Sequence, residues 1–346
     1  MSVDTAPDAP AEAAGARRLT EWVFRVRELG IVVAFALLVA ITAILEPRFI
    51  ETDSLRNLAL NASIFAILAA GQTLVLVTRN VDLSVGSVLG LAAYLSGDLL
   101  SHHPGLALPV VFAAGIALGA ACGLLNGILV TWGQVPALVV TLGTLYTFRG
   151  LAFLWTNGNQ VNAETLPDSF LNLGTDSILG VPILVIFALI VLGLVGQWLR
   201  DFRTGRELYA IGSNPEGARL AGVRAQRRVL TAFVLAGALA GLGGVLFTAR
   251  FGTVDATAGV GYELTVIAAA VVGGVAIFGG TGSVYGAALG ALLLGTITSS
   301  LIVLRVEAFW QQAAIGALLL IAIGFDRLIG LRVEAALRRR SARRAS

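Results

Sequence analysis

Apolar and polar stretches alternate along this chain on the scale of whole helices. Apolar runs of about 20 residues recur between residues 29 and 330, and each is long enough to cross a bilayer core of roughly 30 Å as a helix. Within these runs, apolar and polar residues do not alternate singly as in the strands of a membrane barrel. The pattern predicts an all-α, polytopic membrane protein with about ten transmembrane helices, at 29–45, 56–78, 84–100, 107–131, 136–155, 178–198, 229–249, 262–278, 284–304 and 309–328. The helices at 84–100 and 262–278 are short, and we expect them to be tilted or partly re-entrant.

The arginines predict which side of the membrane each segment faces. All 24 basic residues are arginine, and an even number of crossings places 19 of them on the side that holds both termini. Because cytoplasmic segments carry the excess of basic residues, we expect both termini to be cytoplasmic. The five arginines assigned to the other side are Arg48, Arg56, Arg149, Arg250 and Arg305.

Polar segments divide the chain into three parts. Residues 1–28 form an N-terminal cytoplasmic tail, whose first 16 residues are rich in Ala, Pro and acidic residues and are expected to be disordered. This tail lacks the basic start of a cleavable signal, so the first apolar run is expected to remain as an anchor. The membrane domain covers 29–330, with a long cytoplasmic loop at 199–228, and a basic tail occupies 331–346.

The composition excludes several classes of function. Without lysine, the chain cannot be a P-loop ATPase or use Schiff-base catalysis. Cys122 has no partner for an intrachain disulfide, and His102 and His103 indicate a solvated loop rather than a metal or catalytic site. The arginines lie at the ends of apolar runs, so the net charge of +3 indicates membrane topology rather than nucleic-acid binding. We expect no catalytic residue, no metal site and no cofactor in this chain.

Polar residues near helix ends are candidates for a transport pathway. Asp82 and Ser84 stand where a helix is predicted to begin, so they either cap its free N–H groups or line an inner mouth. Arg149 either faces the bundle interior or extends to the outer interface. Glu263 either meets a helix dipole or lines an outer mouth. The full set of pathway candidates is Gln72, Asp82, Ser84, Asn126, Thr141, Thr144, Arg149 and Glu263.

Glycines recur at four-residue spacing in several apolar runs, for example at Gly115, Gly119 and Gly123 and at Gly237 and Gly241. This spacing stacks glycines on one helix face and lets two backbones approach closely. The pattern predicts a tightly packed bundle, and it serves either packing alone or helices that can shift against each other.

The loop at 199–228 holds seven arginines and a predicted short helix. Asn214 suits the cap, Pro215 the first helical position and Glu216 the positive end of the dipole, while Gly222 suits the left-handed position after the helix. A helix of about two turns is unstable alone in water, so it must pack on something. Its partner is either the protein's own bundle or a cleft in another subunit.

Four segments together resemble the permeases of ribose/xylose/rhamnose-type importers, a branch of the ATP-binding cassette (ABC) transporters. The segment Thr78–Ser87 resembles the family's GGIDLSVGS signature, and Gly259–Gly290 resembles its G-Y-E-L segment with the following glycine pairs. A third stretch resembles P-x-F-I-A-T-L-G…R-G-L at Pro136, Thr141, Leu142, Gly143, Arg149 and Gly150, and a fourth resembles the cytoplasmic G-R-x-x-Y-A-I-G-x-N-x-x-A-A at Gly205, Arg206, Tyr209, Ala210, Ile211, Gly212, Asn214 and Ala218.

The chain departs from the family pattern at three places. Arg79-Asn80 replaces Gly-Gly, which is similar to the rhamnose or autoinducer-2 branch rather than to ribose permeases. Gly217 replaces an alanine, and Ser299-Ser300-Leu301 stands where the family has Asn-Gly-Leu, a change that bears on cargo choice.

The resemblance implies a permease of the bacterial inner membrane that carries a simple sugar or sugar-like molecule. It implies two ABC ATPase subunits that hold ATP and Mg, an extracytoplasmic sugar-binding protein, and a second permease, either identical or related. The residues that would couple to the ATPase are Gly205, Arg206, Tyr209, Gly212, Asn214, Glu216, Ala218 and Gly222. The alternative is a secondary transporter or channel that needs no ATPase; a membrane-embedded enzyme ranks below it because no catalytic constellation converges.

Overall fold

The computed structural model of the chain describes residues 30–307 and, beyond them, 309–310, 312–313, 316–317 and 320–321. Most of these residues are helical. The helices are α1 (Gly30–Leu45), α2 (Thr52–Leu76), α3 (Val85–His102), α4 (Leu108–Thr131), α5 (Ala137–Thr156), α6 (Asp168–Thr175), α7 (Ile183–Asp201), α8 (Arg203–Ser213), α9 (Pro215–Leu220), α10 (Ala225–Phe251), α11 (Tyr262–Val272) and α12 (Val284–Val303). Short 3-10 turns occur at Pro47–Ile50 and Ala163–Thr165.

Six of the described helices, α2, α4, α5, α7, α10 and α12, are long and apolar enough to cross a membrane. The most apolar stretch of α2 is 83% buried and that of α10 is 67% buried, whereas α4, α5 and α7 are 28–33% buried. The centre of the bundle is therefore built on α2 and α10, with α3 and α11 packed beside them. The apolar outer faces of α4, α5 and α7 are suited to contact with lipid.

The close approach of α4 and α10 depends on their glycines. A Cβ atom on Gly119 would lie 2.1 Å from the carbonyl oxygen of Gly237, and one on Gly237 would lie 2.2 Å from the carbonyl oxygen of Gly119. No larger residue fits at either position without moving a backbone. The predicted close packing of glycine faces is confirmed for this helix pair.

Helix α11 begins part-way through the bundle. The rings of Phe65 and Tyr262 lie 4.6 Å apart, and Phe65 precedes the C-terminal end of α2 by 11 residues, which is about 16 Å of helix. The first residue of α11 therefore lies beside the middle of α2. Residues 252–261 lead from the end of α10 to this level of the bundle without helical structure, and Gly259 touches Gly86 near the start of α3. The expectation that this region is tilted or partly re-entrant stays a prediction.

The segments predicted at 178–198 and 199–228 differ from the sequence predictions. The helix expected at 178–198 begins at Ile183, because β1 (Ser177–Ile178) and β2 (Val181–Pro182) form a small antiparallel hairpin with Leu179 and Gly180 at positive φ in its turn. Helix α6 precedes this hairpin and was missed as well. The loop expected at 199–228 is largely helical: α7 extends to Asp201, and α8 buries Leu208 and Ile211, three residues apart, on one face.

The helix predicted at 262–278 ends at Val272, and residues 273–283 are non-helical. Of the tenth predicted range, 309–328, eight residues are described, and these are helical. The predicted tails at 1–28 and 331–346 lie outside the described residues.

Candidate coupling surface and polar core

Helix α9 has the local chemistry that its sequence predicts. The Asn214 side chain caps it by accepting a hydrogen bond from the Gly217 N–H at 2.9 Å, and Pro215 occupies the first turn. Gly222 follows the helix with a φ of +79°, the left-handed region that favours glycine. Ala218 is buried beside α8 and α10, while Glu216 is exposed.

The C-terminal end of α8 packs directly on backbone from two other segments. A Cβ on Gly212 would lie 1.8 Å from the Val77 carbonyl oxygen and 2.4 Å from the Gly280 nitrogen, so α8 can approach only because this residue is glycine. Arg79 donates hydrogen bonds to the carbonyl oxygens of Gly212 and Ser213, which are among the last carbonyls of α8. A guanidinium there offsets the negative end of the helix dipole.

Three more of the predicted coupling residues hold α8 in place. The Tyr209 hydroxyl donates to the Gly282 carbonyl at 2.9 Å, and burial raises the pKa of Tyr209 to about 12, so it remains a donor. Arg206 donates to the carbonyl of Asp201 at 2.8 Å and caps α7. Gly205 lies against the Trp198 carbonyl, where a Cβ would be 2.3 Å away.

Glu207 on α8 is a buried acid that sequence reasoning missed. Its carboxylate binds Arg228 of α10 and, at 2.8 Å, Arg203 one turn earlier on α8. Hydrogen bonding from Arg228 is the main cause that holds the pKa of Glu207 below its usual value. The sequence offered only a weak indication of this ion pair, because Glu207 is an acid in a segment that holds seven arginines.

Helices α8 and α9 therefore form one unit, which we call the coupling unit (residues 203–222). It is joined to the 77–84 turn through Arg79, to residues 273–283 through Tyr209 and Gly212, and to α10 through Glu207. The eight predicted coupling residues divide into two groups. Gly205, Arg206, Tyr209 and Gly212 hold α8 to the bundle, whereas Asn214, Glu216, Ala218 and Gly222 belong to α9 and its ends.

Five of the predicted pathway residues form a buried polar cluster around the start of α3. The Asp82 carboxylate accepts hydrogen bonds from the Ser84 N–H at 2.8 Å and the Ser84 hydroxyl at 2.7 Å, and Asn126 donates to the same hydroxyl at 2.8 Å. With its amide oriented to satisfy both side-chain atoms, Gln72 donates to the Asp82 carbonyl and accepts from the Asp82 N–H, each at 3.2 Å. Thr141 donates to the Val81 carbonyl at 3.2 Å.

This cluster stabilises the turn that leads into α3. All five side chains are less than 5% exposed, and their partners are one another or nearby backbone. Asp82 fixes the turn by accepting hydrogen bonds from Ser84, two residues ahead. Ser84 stands at the N-cap of α3 and makes no side-chain cap hydrogen bond, so the predicted choice between capping and lining a pathway stays open for both residues. Thr144 extends the cluster by one turn of α5, through a 3.3 Å hydrogen bond to the Thr141 carbonyl.

Arg149 and Glu263 lie apart from this cluster, beside residues 252–261. Arg149 donates to the carbonyls of Ala256 at 2.6 Å and Ala258 at 2.7 Å, so it faces the bundle and holds this non-helical segment. Glu263 lies in the first turn of α11, as the dipole alternative predicts, with a carboxylate oxygen next to Gly86. A cavity of about 570 Å³ between α2, α11 and α12 is lined by other residues, and sequence reasoning missed it.

No group of three or more His, Cys, Asp or Glu side chains within the described part of the chain could hold a metal ion. Cys122 is buried and not in a disulfide. His102 is exposed and lies 3.5 Å from the Asp98 carboxylate of the same helix.

Comparison with known proteins identifies the family. The family model described as "Branched-chain amino acid transport system / permease component" matches residues 54–323. The chain belongs to this permease family. It is also 38% identical over 313 residues to the autoinducer 2 import system permease protein LsrC of Escherichia coli (strain K12 / DH10B) and of Shigella flexneri, a match that covers 90% of each chain. LsrC of Salmonella choleraesuis (strain SC-B67) is 38% identical over the same length, covering 90% of this chain and 89% of the relative.

These matches confirm the resemblance to importer permeases that the four motifs carry. No solved structure matches this permease. Membership of a permease family implies a membrane subunit that is not itself catalytic.

Proposed function

We propose that this permease is the membrane-spanning subunit of an ATP-driven importer in the bacterial inner membrane, and that its cargo is a simple sugar or a sugar-like signal. One observation carries the proposal: a capped two-turn helix, α9, presents an exposed surface and is connected through α8 to the helix ends at the centre of the bundle. The relatives named autoinducer 2 import permeases, together with Arg79-Asn80, favour a rhamnose-like or autoinducer-2-like cargo over ribose or xylose.

The complete importer contains two permeases, either identical or related, two ABC ATPase subunits and an extracytoplasmic sugar-binding protein. ATP and Mg bind the ATPase subunits, because this chain lacks the lysine of a P-loop. The binding protein delivers cargo, and ATP favours one of two conformations of the bundle by binding unequally to the two states of the complex.

The α9 surface has the composition of a docking site for another protein. Leu220 at its C-terminal end is 80% exposed, and the neighbouring Arg219 and Glu216 are exposed as well. An exposed apolar side chain next to an arginine is compatible with a protein interface, whose core is apolar and in which arginine is enriched. A movement of α9 is transmitted to the 77–84 turn and to residues 273–283 because α8 contacts both segments.

The topology follows from the same proposal. Ten crossings with both termini in the cytoplasm place the coupling unit on the ATPase side and the β1–β2 hairpin on the opposite side, and they agree with the arginine distribution. An impermeant thiol reagent tests this in a Cys122→Ala background. Ser177→Cys is expected to react in intact cells, whereas Arg219→Cys is expected to react only after permeabilisation. The reverse result would contradict the orientation.

The docking role of α9 is tested by Leu220→Asp. We expect this variant to reach the membrane but to lose co-purification with the ATPase subunits and ATP-dependent uptake. Leu179→Asp is the matched control, because Leu179 is fully exposed in the β1–β2 turn on the opposite side. If Leu220→Asp retained both the ATPase and uptake, α9 would not be the docking element.

The alternative, a transporter that works without an ATPase, has a direct test. The purified permease in liposomes, without its partners, is expected to show no uptake of rhamnose, ribose, xylose or autoinducer-2. Uptake under those conditions would overturn the proposed function.

A further inference from the structure

Two arginines form a cationic pair at the end of the bundle opposite the coupling unit. Arg56 lies in the second turn of α2, whose C-terminal end touches the coupling unit through Val77, and Arg250 lies at the C-terminal end of α10. The two side chains are close enough to repel each other electrostatically. Within the described part of the chain, the ion pairs formed by acidic residues involve neither arginine.

Most of the N–H groups of this pair are left without an acceptor. Arg250 donates one hydrogen bond to the side-chain oxygen of Asn57 at 2.6 Å, and none of the described residues accepts one from the Arg56 side chain. The two Nε atoms are buried, so an external group can reach only the terminal nitrogens of each guanidinium. An anion with two charged oxygens, such as a phosphate, is the partner that arginine binds with paired hydrogen bonds.

The cavity of about 570 Å³ between α2, α11 and α12 lies next to the arginine pair. The Arg250 guanidinium carbon is 5.8 Å from the centre of the Phe251 ring, and this ring lines the cavity. On α2, Asn57 precedes the lining residue Asn61 by one helical turn. The arginines therefore stand at one end of the cavity, on the side away from the coupling unit.

The cavity opens on an apolar outer face of the bundle. Val260, Leu264 and Ile302 line it and are more than half exposed, as is suited to contact with lipid. Phe65 is the lining residue of α2 that lies farthest from the arginines, and it follows Arg56 by nine residues, or about 14 Å of helix. One leaflet of a bilayer contributes about 15 Å of hydrocarbon. The cavity is therefore a groove with the length of one acyl chain and a cationic pair at its end.

We propose that this groove binds one anionic phospholipid from the leaflet opposite the coupling unit, with its phosphate on Arg56 and Arg250 and an acyl chain in the cavity. A phosphodiester supplies charged oxygens to the free guanidinium N–H groups and offsets the repulsion between the two arginines. A headgroup that carries an ammonium would bring a third positive charge to the pair. Phosphatidylglycerol therefore fits the site better than phosphatidylcholine. The site depends neither on the cargo nor on the ATPase.

Native mass spectrometry of the purified permease, titrated with phosphatidylglycerol or with phosphatidylcholine of the same acyl chains, tests the phosphate contact. The wild type is expected to bind phosphatidylglycerol at least tenfold more tightly than phosphatidylcholine. Arg56→Gln/Arg250→Gln is expected to weaken phosphatidylglycerol binding about tenfold, the factor for one lost charge-assisted hydrogen bond, and to leave phosphatidylcholine binding unchanged. Arg48→Gln is the matched control, because it removes an exposed arginine from the same end of the bundle.

A second variant tests the acyl-chain contact and leaves both arginines in place. Leu264→Trp puts a larger side chain into the exposed wall of the groove and is expected to weaken phosphatidylglycerol binding at least threefold. Leu189→Trp, at an exposed position of α7, is expected to have no effect. An excess of inorganic phosphate is expected to leave the lipid bound, because it lacks the acyl chain.

Four outcomes would overturn the proposal. The first is equal affinity of the wild type for the two lipids, or unchanged phosphatidylglycerol binding by the double arginine variant. Displacement of the lipid by inorganic phosphate, without an effect of Leu264→Trp, would identify a site for free phosphate. Dissociation of a permease dimer by Leu264→Trp, without loss of lipid binding, would assign the groove to a second copy of the chain. Loss of the binding protein by the double arginine variant, with phosphatidylglycerol still bound, would assign the arginines to carboxylates of that protein.

Discussion

The ion pair between Glu207 and Arg228 is expected to hold the coupling unit against α10. The Glu207 side chain is 9% exposed and that of Arg228 is 29% exposed, so water screens this pair poorly. Glu207→Gln removes the charge and leaves Arg228 partly buried without a counter-charge. A charge-assisted hydrogen bond in such a setting contributes about 2 kcal/mol.

The second arginine that binds Glu207 supplies a control on the same helix. The Arg203 side chain is 79% exposed, and its pair with Glu207 is an exposed four-residue helix pair worth about 0.3 kcal/mol. Arg203→Gln is therefore expected to change stability far less than Arg228→Gln. The difference of nearly 2 kcal/mol corresponds to about 4 °C in Tm.

Thermal unfolding of the purified permease and ATP-coupled uptake by the importer measure the two consequences. Glu207→Gln is expected to lower Tm by about 4 °C and to reduce uptake per ATP hydrolysed, because α8 no longer moves with α10. A double-mutant cycle between positions 207 and 228 is expected to give a coupling energy of about 1.5 kcal/mol. A coupling energy near zero, or equal effects of Arg203→Gln and Arg228→Gln, would refute this reasoning.

The same pair predicts a pH dependence. The pKa of Glu207 lies below its ordinary value of 4.5 in the folded chain, so its contribution to stability is present above pH 4.5 and is lost as pH falls through the folded pKa. The Tm difference between wild type and Glu207→Gln is therefore expected to be constant from pH 6 to pH 8 and to shrink below about pH 4.5. A difference that grows in acid would contradict this sign.

Three further substitutions test the packing of the bundle by Tm and uptake. Gly212→Ala is expected to destabilise by about 1–3 kcal/mol, because the new methyl group meets backbone that cannot withdraw, whereas Gly193→Ala has open space around it and is expected to be neutral or stabilising. Gly119→Ala is expected to separate α4 from α10 at a similar cost, with Gly143→Ala as its control. Arg79→Gln is expected to lose about 1 kcal/mol from the cap of α8 and to uncouple ATP hydrolysis from uptake.

The bounds of most membrane helices follow from the chain alone. The predicted 107–131 and 284–304 are observed as Leu108–Thr131 and Val284–Val303. Lipid offers no hydrogen-bond partner to the backbone, so a run of apolar residues long enough to span it has to be helical, and its ends lie where polar residues resume. The caps of α9 were predictable for a related reason: Asn214 and Gly222 act on backbone within three or four residues of themselves.

Sequence reasoning was less successful where polar residues form helices or turns outside the apolar runs. Helix α8 is hard to predict from the sequence because its amphipathic face is only a few residues long and lies among arginines. The departure at Arg79 indicates a branch of the family by resemblance alone, and it does not reveal that the side chain bonds the end of a helix 133 residues further along the chain. Its position next to Asn80 contains no information about that partner.

The amino-acid sequence by itself determined the class of this protein, the limits of most of its helices and the presence of a capped helix at α9, because those features depend on hydropathy and on chemistry within a few residues. The tertiary structure alone decided that Gly212 touches Val77, that Glu207 binds Arg228, and that Arg250 binds Asn57. These contacts join residues that are far apart in the chain. They depend on how the helices pack, and a single sequence does not specify which faces meet.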